Sequence, residues 1–92
     1  MEEVRAHLII SGLVQGVFYR ASARSVASKL GIKGWVKNRY DGSVEAIAEG
    51  TREKVQKFID WCYQGPPGAL VTNIQLEWAN ATGEFKDFSI RY

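Results

Sequence analysis

A chain of 92 residues with 46% apolar side chains has room for one domain with one core, so a single domain, 1–92, is expected. Its net charge of +2 comes from 12 basic and 10 acidic side chains spread along the sequence, and no basic block argues for nucleic acid or an anionic membrane surface. The single cysteine, Cys62, cannot close an intrachain disulfide, no Cys/His cluster has metal-ligand spacing, and the apolar residues Leu8 to Ile10 with Leu13-Val14 are too short and broken a run for a signal peptide or a membrane span. A cytoplasmic location follows as the expectation.

Val4 to Ile10 is short, ends in β-branched residues and stops at Ser11-Gly12, which predicts a first strand. After the loop that follows, Ala23, Val26, Ala27 and Leu30 recur at helical spacing, predicting a helix that begins near Arg20 and stops at Gly31. Ile32 to Arg39 and Ser43 to Glu49 read as two strands joined across Tyr40-Asp41-Gly42, where Asp-Gly is a strong hairpin signal. Thr51 is a good N-cap for a second helix, whose apolar stripe is Val55, Phe58, Ile59 and Cys62 and in which Glu53 can pair with Lys57. Gly65-Pro66-Pro67-Gly68 ends that helix. Val71 to Trp78 alternates with period two, and Phe88, Ile90 and Tyr92 repeat the period near the C-terminus.

The order is β-α-β-β-α-β with a short extra strand. This is the split βαβ, ferredoxin-like arrangement of the α+β class: an antiparallel sheet with two helices on one face. That fold serves RNA binding and catalysis alike, so function has to be argued from a site.

The stretch GLVQGVFYRASARS, Gly12 to Ser25, offers one. Free amides of the first turn of the helix and of the loop before it can converge beside the positive end of the helix dipole, a place that binds anions. Gly12 and Gly16 would let the backbone take positive φ and approach a ligand, and Arg20 would add a planar fork suited to phosphate oxygens. The apolar residues Val14, Val17, Phe18 and Tyr19 then read as buried pegs that hold the loop rigid while its amides face outward. The loop is not a nucleotide-binding P-loop, because G-x-x-x-x-G-K followed by Ser or Thr does not occur. Taken alone it reads equally as an ordinary strand-to-helix connection.

A second constellation removes that ambiguity. Gly12-x-Val14-Gln15-Gly16-Val17-x-x-Arg20, followed by Gly34-Trp35-Val36-Lys37-Asn38, then Gly42, Val44 and Gly50, closely resembles the two signatures of the acylphosphatase family. The resemblance extends over essentially the whole chain, including Gly65-Pro66-Pro67-Gly68 and the Ser89-Ile90-Arg91-Tyr92 end. It implies hydrolysis of the carboxyl-phosphate bond of acyl phosphates without a metal or any other cofactor. It also implies residue roles: backbone amides of Gln15, Gly16, Val17, Phe18 and Tyr19 cradle the substrate phosphate, Arg20 anchors it, and Asn38 orients the attacking water. A carboxylate is already a good leaving group, so positioning and charge stabilisation suffice. The implied partners are a small-molecule acyl phosphate as substrate and inorganic phosphate as product and competitive inhibitor, with no nucleic acid and no membrane. A monomer is expected.

Other residues have plainer readings. His7 shares a strand face with Arg5 and Ile9 and reads as a sheet-face histidine, Cys62 as an inert core thiol and Arg24 as a solvated helix residue. Trp35 reads either as lining the pocket mouth or as a core or sheet-face aromatic. Asn80-Ala81-Thr82 matches a glycosylation sequon by chance. Three alternative functions use the same fold. An RNA-binding module lacks support, because Ser43 to Glu49 carries no stacking aromatics. An anion-binding sensor without turnover is the second. The third is the acylphosphatase-like domain of carbamoyl-transferring maturation proteins, directed at carbamoyl phosphate; the zinc-finger and transferase segments that follow such a domain are not expected in a chain ending at Tyr92.

Overall fold

The computed structural model describes residues 2–92. Strands β1 (Glu3–Leu13), β2 (Lys33–Asn38), β3 (Val44–Thr51), β4 (Leu70–Asn80) and β5 (Phe88–Arg91) form one sheet in the order β4-β1-β3-β2-β5, and helices α1 (Tyr19–Leu30) and α2 (Arg52–Gln64) complete the fold. The first four strands pair antiparallel, while the short β5 joins the edge parallel to β2.

Period-two alternation decides which face is buried. Ala6, Leu8 and Ile10 of β1 lie opposite Ala48, Ala46 and Val44 of β3, which in turn lie opposite Gly34, Val36 and Asn38 of β2. All but Asn38 are buried, because this face carries the helices. The helices cover it with Ala23 and Ala27 from α1 and with Val55, Phe58, Ile59 and Cys62 from α2. Small residues in the middle of the sheet leave room for the Phe58 ring, which packs 5.4 Å from that of Phe88. Among the described residues no helix is long and apolar enough to cross a membrane.

Two strands run further than the sequence pattern predicts. β1 continues past Ile10 to Leu13 because Gly12 and Leu13 pair with Val71 and Leu70 beyond a register shift at Ser11/Gly12. Gly12 has φ 125°, and a Cβ there would sit 2.1 Å from the Leu70 carbonyl oxygen. Its missing side chain therefore serves the close approach of β4, not of a ligand. The predicted hairpin between β2 and β3 is present: the Asp41 carboxylate accepts from the Ser43 amide at 3.0 Å, and Gly42 takes φ 91°.

Candidate functional site

The two helices begin differently. Thr51 caps α2, its hydroxyl oxygen accepting from the Lys54 amide, and Glu53 places a negative charge in the first turn. Helix α1 has neither device: its cap residue, Phe18, contributes no side-chain hydrogen bond, and no acidic side chain lies in its first turn. The backbone amides of Gln15, Gly16, Val17, Phe18 and Tyr19 donate to no acceptor among the described residues. A helix end left open in this way presents a set of donors and a positive dipole end to whatever enters.

Arg20 stands in that first turn. It makes no ion pair among the described residues, and its guanidinium lies 5.0 Å from the centre of the Tyr92 ring. An aromatic face attracts the cation without neutralising it, so the fork remains free for an anion. Asn38 ends β2 on the helix-covered face of the sheet, two residues beyond the buried Val36. The structure brings Gly16, Phe18, Arg20, Asn38 and Tyr92 together around one cavity of about 430 Å³. Tyr92 is the residue that sequence reasoning missed: the period of Phe88, Ile90 and Tyr92 puts it on this face, but its neighbour is far away in sequence.

The loop is held from behind. Val14 is buried, and Tyr19 is buried with its hydroxyl donating to the Cys62 carbonyl at 2.7 Å and its ring 5.3 Å from that of Trp61. Val17 is half-buried, and it is the nearest atom group to the Cβ position of Gly68 in the Gly-Pro-Pro-Gly turn. Burial drives the Tyr19 phenol far above its ordinary value, which keeps it a neutral donor. Phe18 does not fit the expected set of pegs. It is 83% exposed, because its backbone is left-handed at φ 61° and the side chain turns out of the core.

Gln15 has a role that backbone arguments do not suggest. Its side-chain amide nitrogen donates to the carbonyl oxygens of Arg39 at 2.8 Å and Ser43 at 2.9 Å. Both hydrogens are used, and the loop is thereby tied to the β2–β3 turn immediately after Asn38.

The remaining candidates fall on other surfaces. His7 lies on the open face of the sheet, 2.6 Å from the Glu45 carboxylate, as a sheet-face residue. Trp35 is on the same open face, with Arg91 4.9 Å and Lys37 5.7 Å from its ring centre, so of its two readings the structure supports the sheet-face one. Cys62 is fully buried and its thiol is pushed up to about 12 by burial, as an inert core group should be. Arg24 is exposed on α1. The described residues contain no group of three or more His, Cys, Asp or Glu side chains able to hold a metal ion. The open face carries Glu45, Glu49 and Glu77 among its basic residues, a poor match for a nucleic acid backbone.

Known proteins resemble the chain in sequence and in fold. A curated acylphosphatase from Pelotomaculum thermopropionicum is 51% identical over 92 residues, with the whole of both chains aligned. The crystal structure of an acylphosphatase from Bacillus subtilis superposes with a TM-score of 0.93 at 37% identity, covering 97% of this chain and 99% of that one. Full-length HypF, in a phosphate- and nucleotide-bound form, matches with a TM-score of 0.82 at 28% identity; all of this chain is covered, but only 12% of HypF. The family model named Acylphosphatase matches residues 6–90. With that match and identity of this order along its full length, the chain belongs to the acylphosphatase family.

Proposed function

We infer that the chain hydrolyses acyl phosphates to a carboxylate and inorganic phosphate, with the reaction held in the cavity between the β1–α1 loop and the end of β2. The observation that carries this reading is the shared cavity: Gly16, Phe18 and Tyr19, whose amides are unpartnered among the described residues, border it together with Arg20 and Asn38. The amides of Gln15, Gly16, Val17, Phe18 and Tyr19, with Arg20, bind the non-bridging phosphoryl oxygens and hold their charge as it redistributes in the transition state. Asn38 accepts one hydrogen bond from a water molecule and aims its oxygen at phosphorus.

The balance is simple. The water oxygen bonds to phosphorus as the bond from phosphorus to the acyl oxygen breaks, and that electron pair leaves on the carboxylate. The acyl phosphate dianion and water become a carboxylate monoanion and dihydrogen phosphate, both water protons staying on the phosphate. Asn38 has no acid–base function, so the second proton passes to a phosphoryl oxygen of the substrate itself. Positive charge comes from Arg20 and the amides, and no step calls for a metal ion or other cofactor.

Release of phosphate from acetyl phosphate in chelator-treated buffer tests the reading, with inorganic phosphate expected as a competitive inhibitor. Anion binding without turnover would leave only a sensor, and a loss of rate restored by a divalent ion would replace the mechanism. Turnover of carbamoyl phosphate far above every carbon-based acyl phosphate would favour the carbamoyl-directed alternative. Cytoplasmic residence and a monomeric state belong to the same proposal, the second checked by sedimentation.

A further inference from the structure

Phe18 is the one residue of the loop whose side chain the fold does not use. It is 83% exposed, and it is the only non-glycine residue with positive φ among the described residues. A Cβ is strained in that conformation and glycine is not, so folding gives no reason for a phenylalanine here. Strained positions of this kind persist where function requires them. The residue does have a place: Phe18 is among those lining the cavity that also holds Arg20 and Asn38.

That cavity has more room than phosphate needs. At about 430 Å³ it falls within the range of pockets that take whole small molecules, roughly 300–1,000 Å³. Beyond Arg20 and Asn38 its lining is predominantly apolar, with Phe18, Ile90 and Tyr92 among the residues that line it. A second, broader concavity of about 1070 Å³ adjoins it on the open face of the sheet, where Lys37 and Arg39 would suit an acyl group carrying its own negative charge.

Reaction geometry chooses between them. The entering water and the departing carboxylate stand on opposite sides of phosphorus in an in-line displacement. With the water on Asn38, the acyl group points away from Asn38. Asn38 borders both concavities, but the broad groove is lined by its strand neighbours Lys37 and Arg39 and not by Arg20, whereas the smaller cavity holds Arg20, so the side of the bound phosphate away from Asn38 lies in the smaller cavity. Phe18 borders only the smaller cavity.

We propose that the Phe18 ring packs against the acyl group of the substrate and sets a preference for acyl phosphates whose acyl part is apolar, above all aromatic, over small or doubly anionic ones. The inference rests on the acyl-phosphate reading above and adds the substrate class. An apolar contact of this size in a pocket discriminates by about 10-fold or more, and it acts in binding, so the effect belongs mostly to KM.

The test compares kcat/KM for benzoyl, acetyl and succinyl phosphate on the parent and on Phe18→Ala, Phe18→Gly and Phe18→Tyr. The parent is expected to prefer benzoyl phosphate. Its benzoyl-to-acetyl ratio should fall about 10-fold in both Phe18→Ala and Phe18→Gly, through a higher KM for benzoyl phosphate, and hold within about 3-fold in Phe18→Tyr, which keeps the ring. A ratio cancels any damage to phosphate binding, and the inhibition constant of inorganic phosphate reports that damage separately. An unchanged ratio in the Ala and Gly variants overturns the proposal. So does a ratio lost in Phe18→Ala but kept in Phe18→Gly, since strain and not the ring would then be responsible. A parent preference for succinyl phosphate that disappears in Lys37→Ala or Arg39→Ala would place the acyl group in the open-face groove. If the parent hydrolyses none of the three, the acyl-phosphate reading itself fails, a result distinct from any change in ratio.

Discussion

At opposite ends of the same sheet, two loops gather backbone amides and one arginine around a place for negative charge. The segment after β4 closes on Glu49: its carboxylate accepts from the amides of Thr82 at 2.9 Å and Gly83 at 3.1 Å, and from Arg5 Nε at 2.7 Å. The β1–α1 loop has the same parts, amides and Arg20, but among the described residues no carboxylate pairs with them. Burial by itself would raise the Glu49 carboxyl, yet the Thr82 and Gly83 amides and the Arg5 guanidinium outweigh it and hold the group below its ordinary value of 4.5. A filled site of this kind contributes stability and binds nothing. An open one gives up a cap, worth about 1 kcal/mol at a helix N-terminus, and keeps its donors for a ligand. The chain can make caps, as Thr51 shows, so the open end of α1 is a choice the sequence could have avoided.

The comparison is broken most severely by exchanging the two arginines for lysine. Arg20→Lys replaces a bidentate fork with a point charge, so kcat/KM should fall by about 10²–10³ or more while the melting temperature scarcely moves. Arg5→Lys should do the reverse, lowering the melting temperature and sparing turnover of the folded protein. Steady-state kinetics and thermal melts on both variants check the pair. Near-normal turnover in Arg20→Lys would make that arginine structural too, and the contrast between the loops would vanish.

Asn38→Ala sharpens the division within the open site. Removing a group that orients water and does not hold phosphate should lower kcat by about 10²-fold and leave the inhibition constant for phosphate within a few-fold of the parent. Asn38→Asp should not restore activity at neutral pH, because a carboxylate there faces the phosphoryl dianion. A new basic limb in its pH profile, with activity restored, would mean that the water needs deprotonation.

The filled site predicts a pH dependence. Glu49 and Glu84 are both held below their ordinary values, Glu84 chiefly by its hydrogen bond from Arg5. For a depressed carboxylate, the contribution to stability is present above the unfolded value of 4.5 and drains away as pH falls through the lower folded value. The parent should therefore lose stability below about pH 4.5. Glu49→Gln keeps the shape but loses the charge-assisted bonds, costing about 1–3 kcal/mol at pH 7 and roughly 5–15 °C in melting temperature. Its acid limb should be flatter. Melting curves from pH 3 to 7 decide this, and a limb as steep as the parent's would move the acid sensitivity elsewhere.

How far the sequence reveals the two loops differs for physical reasons. Helices, hairpin and core strands were legible because burial imposes period 3.6 or 2, and the caps Gly31 and Thr51 act on their own neighbours. Of the open site, Gly16 and Arg20 were legible because they stand in one loop and the first turn after it, whereas Asn38 was legible only through the resemblance to the acylphosphatase signatures. The filled site was not legible. Its partners Arg5, Glu49 and Thr82 lie in separate segments, and nothing in the local pattern marks Glu49 as 4% exposed. The same limit hid Tyr92 beside Arg20 and the true ends of β1 and β4, which are set by each other's backbones. Phe18 was misread as a peg because a side chain's direction follows φ, and composition does not report φ.

The smallest effect concerns what keeps the open loop in register with β2. Gln15 spends both side-chain hydrogens on the Arg39 and Ser43 carbonyls, joining the amides of the loop to the turn that follows Asn38. If that tie only stabilised the fold, Gln15→Ala would lower the melting temperature and leave the folded protein's kinetics alone. If it fixes the distance between the held phosphate and the held water, kcat should fall by about 10-fold, since near-attack geometry is sensitive to displacements of the order of 1 Å. The phosphate inhibition constant should change little. The decisive measurement is a double-mutant cycle with Asn38→Ala. Once Asn38 can no longer hold the water, losing the tie should have little further effect on kcat, so the two changes would be strongly non-additive. Simple multiplication of the two losses would show that Gln15 acts on the phosphate side, through the loop alone, and that the open site needs no fixed register with β2.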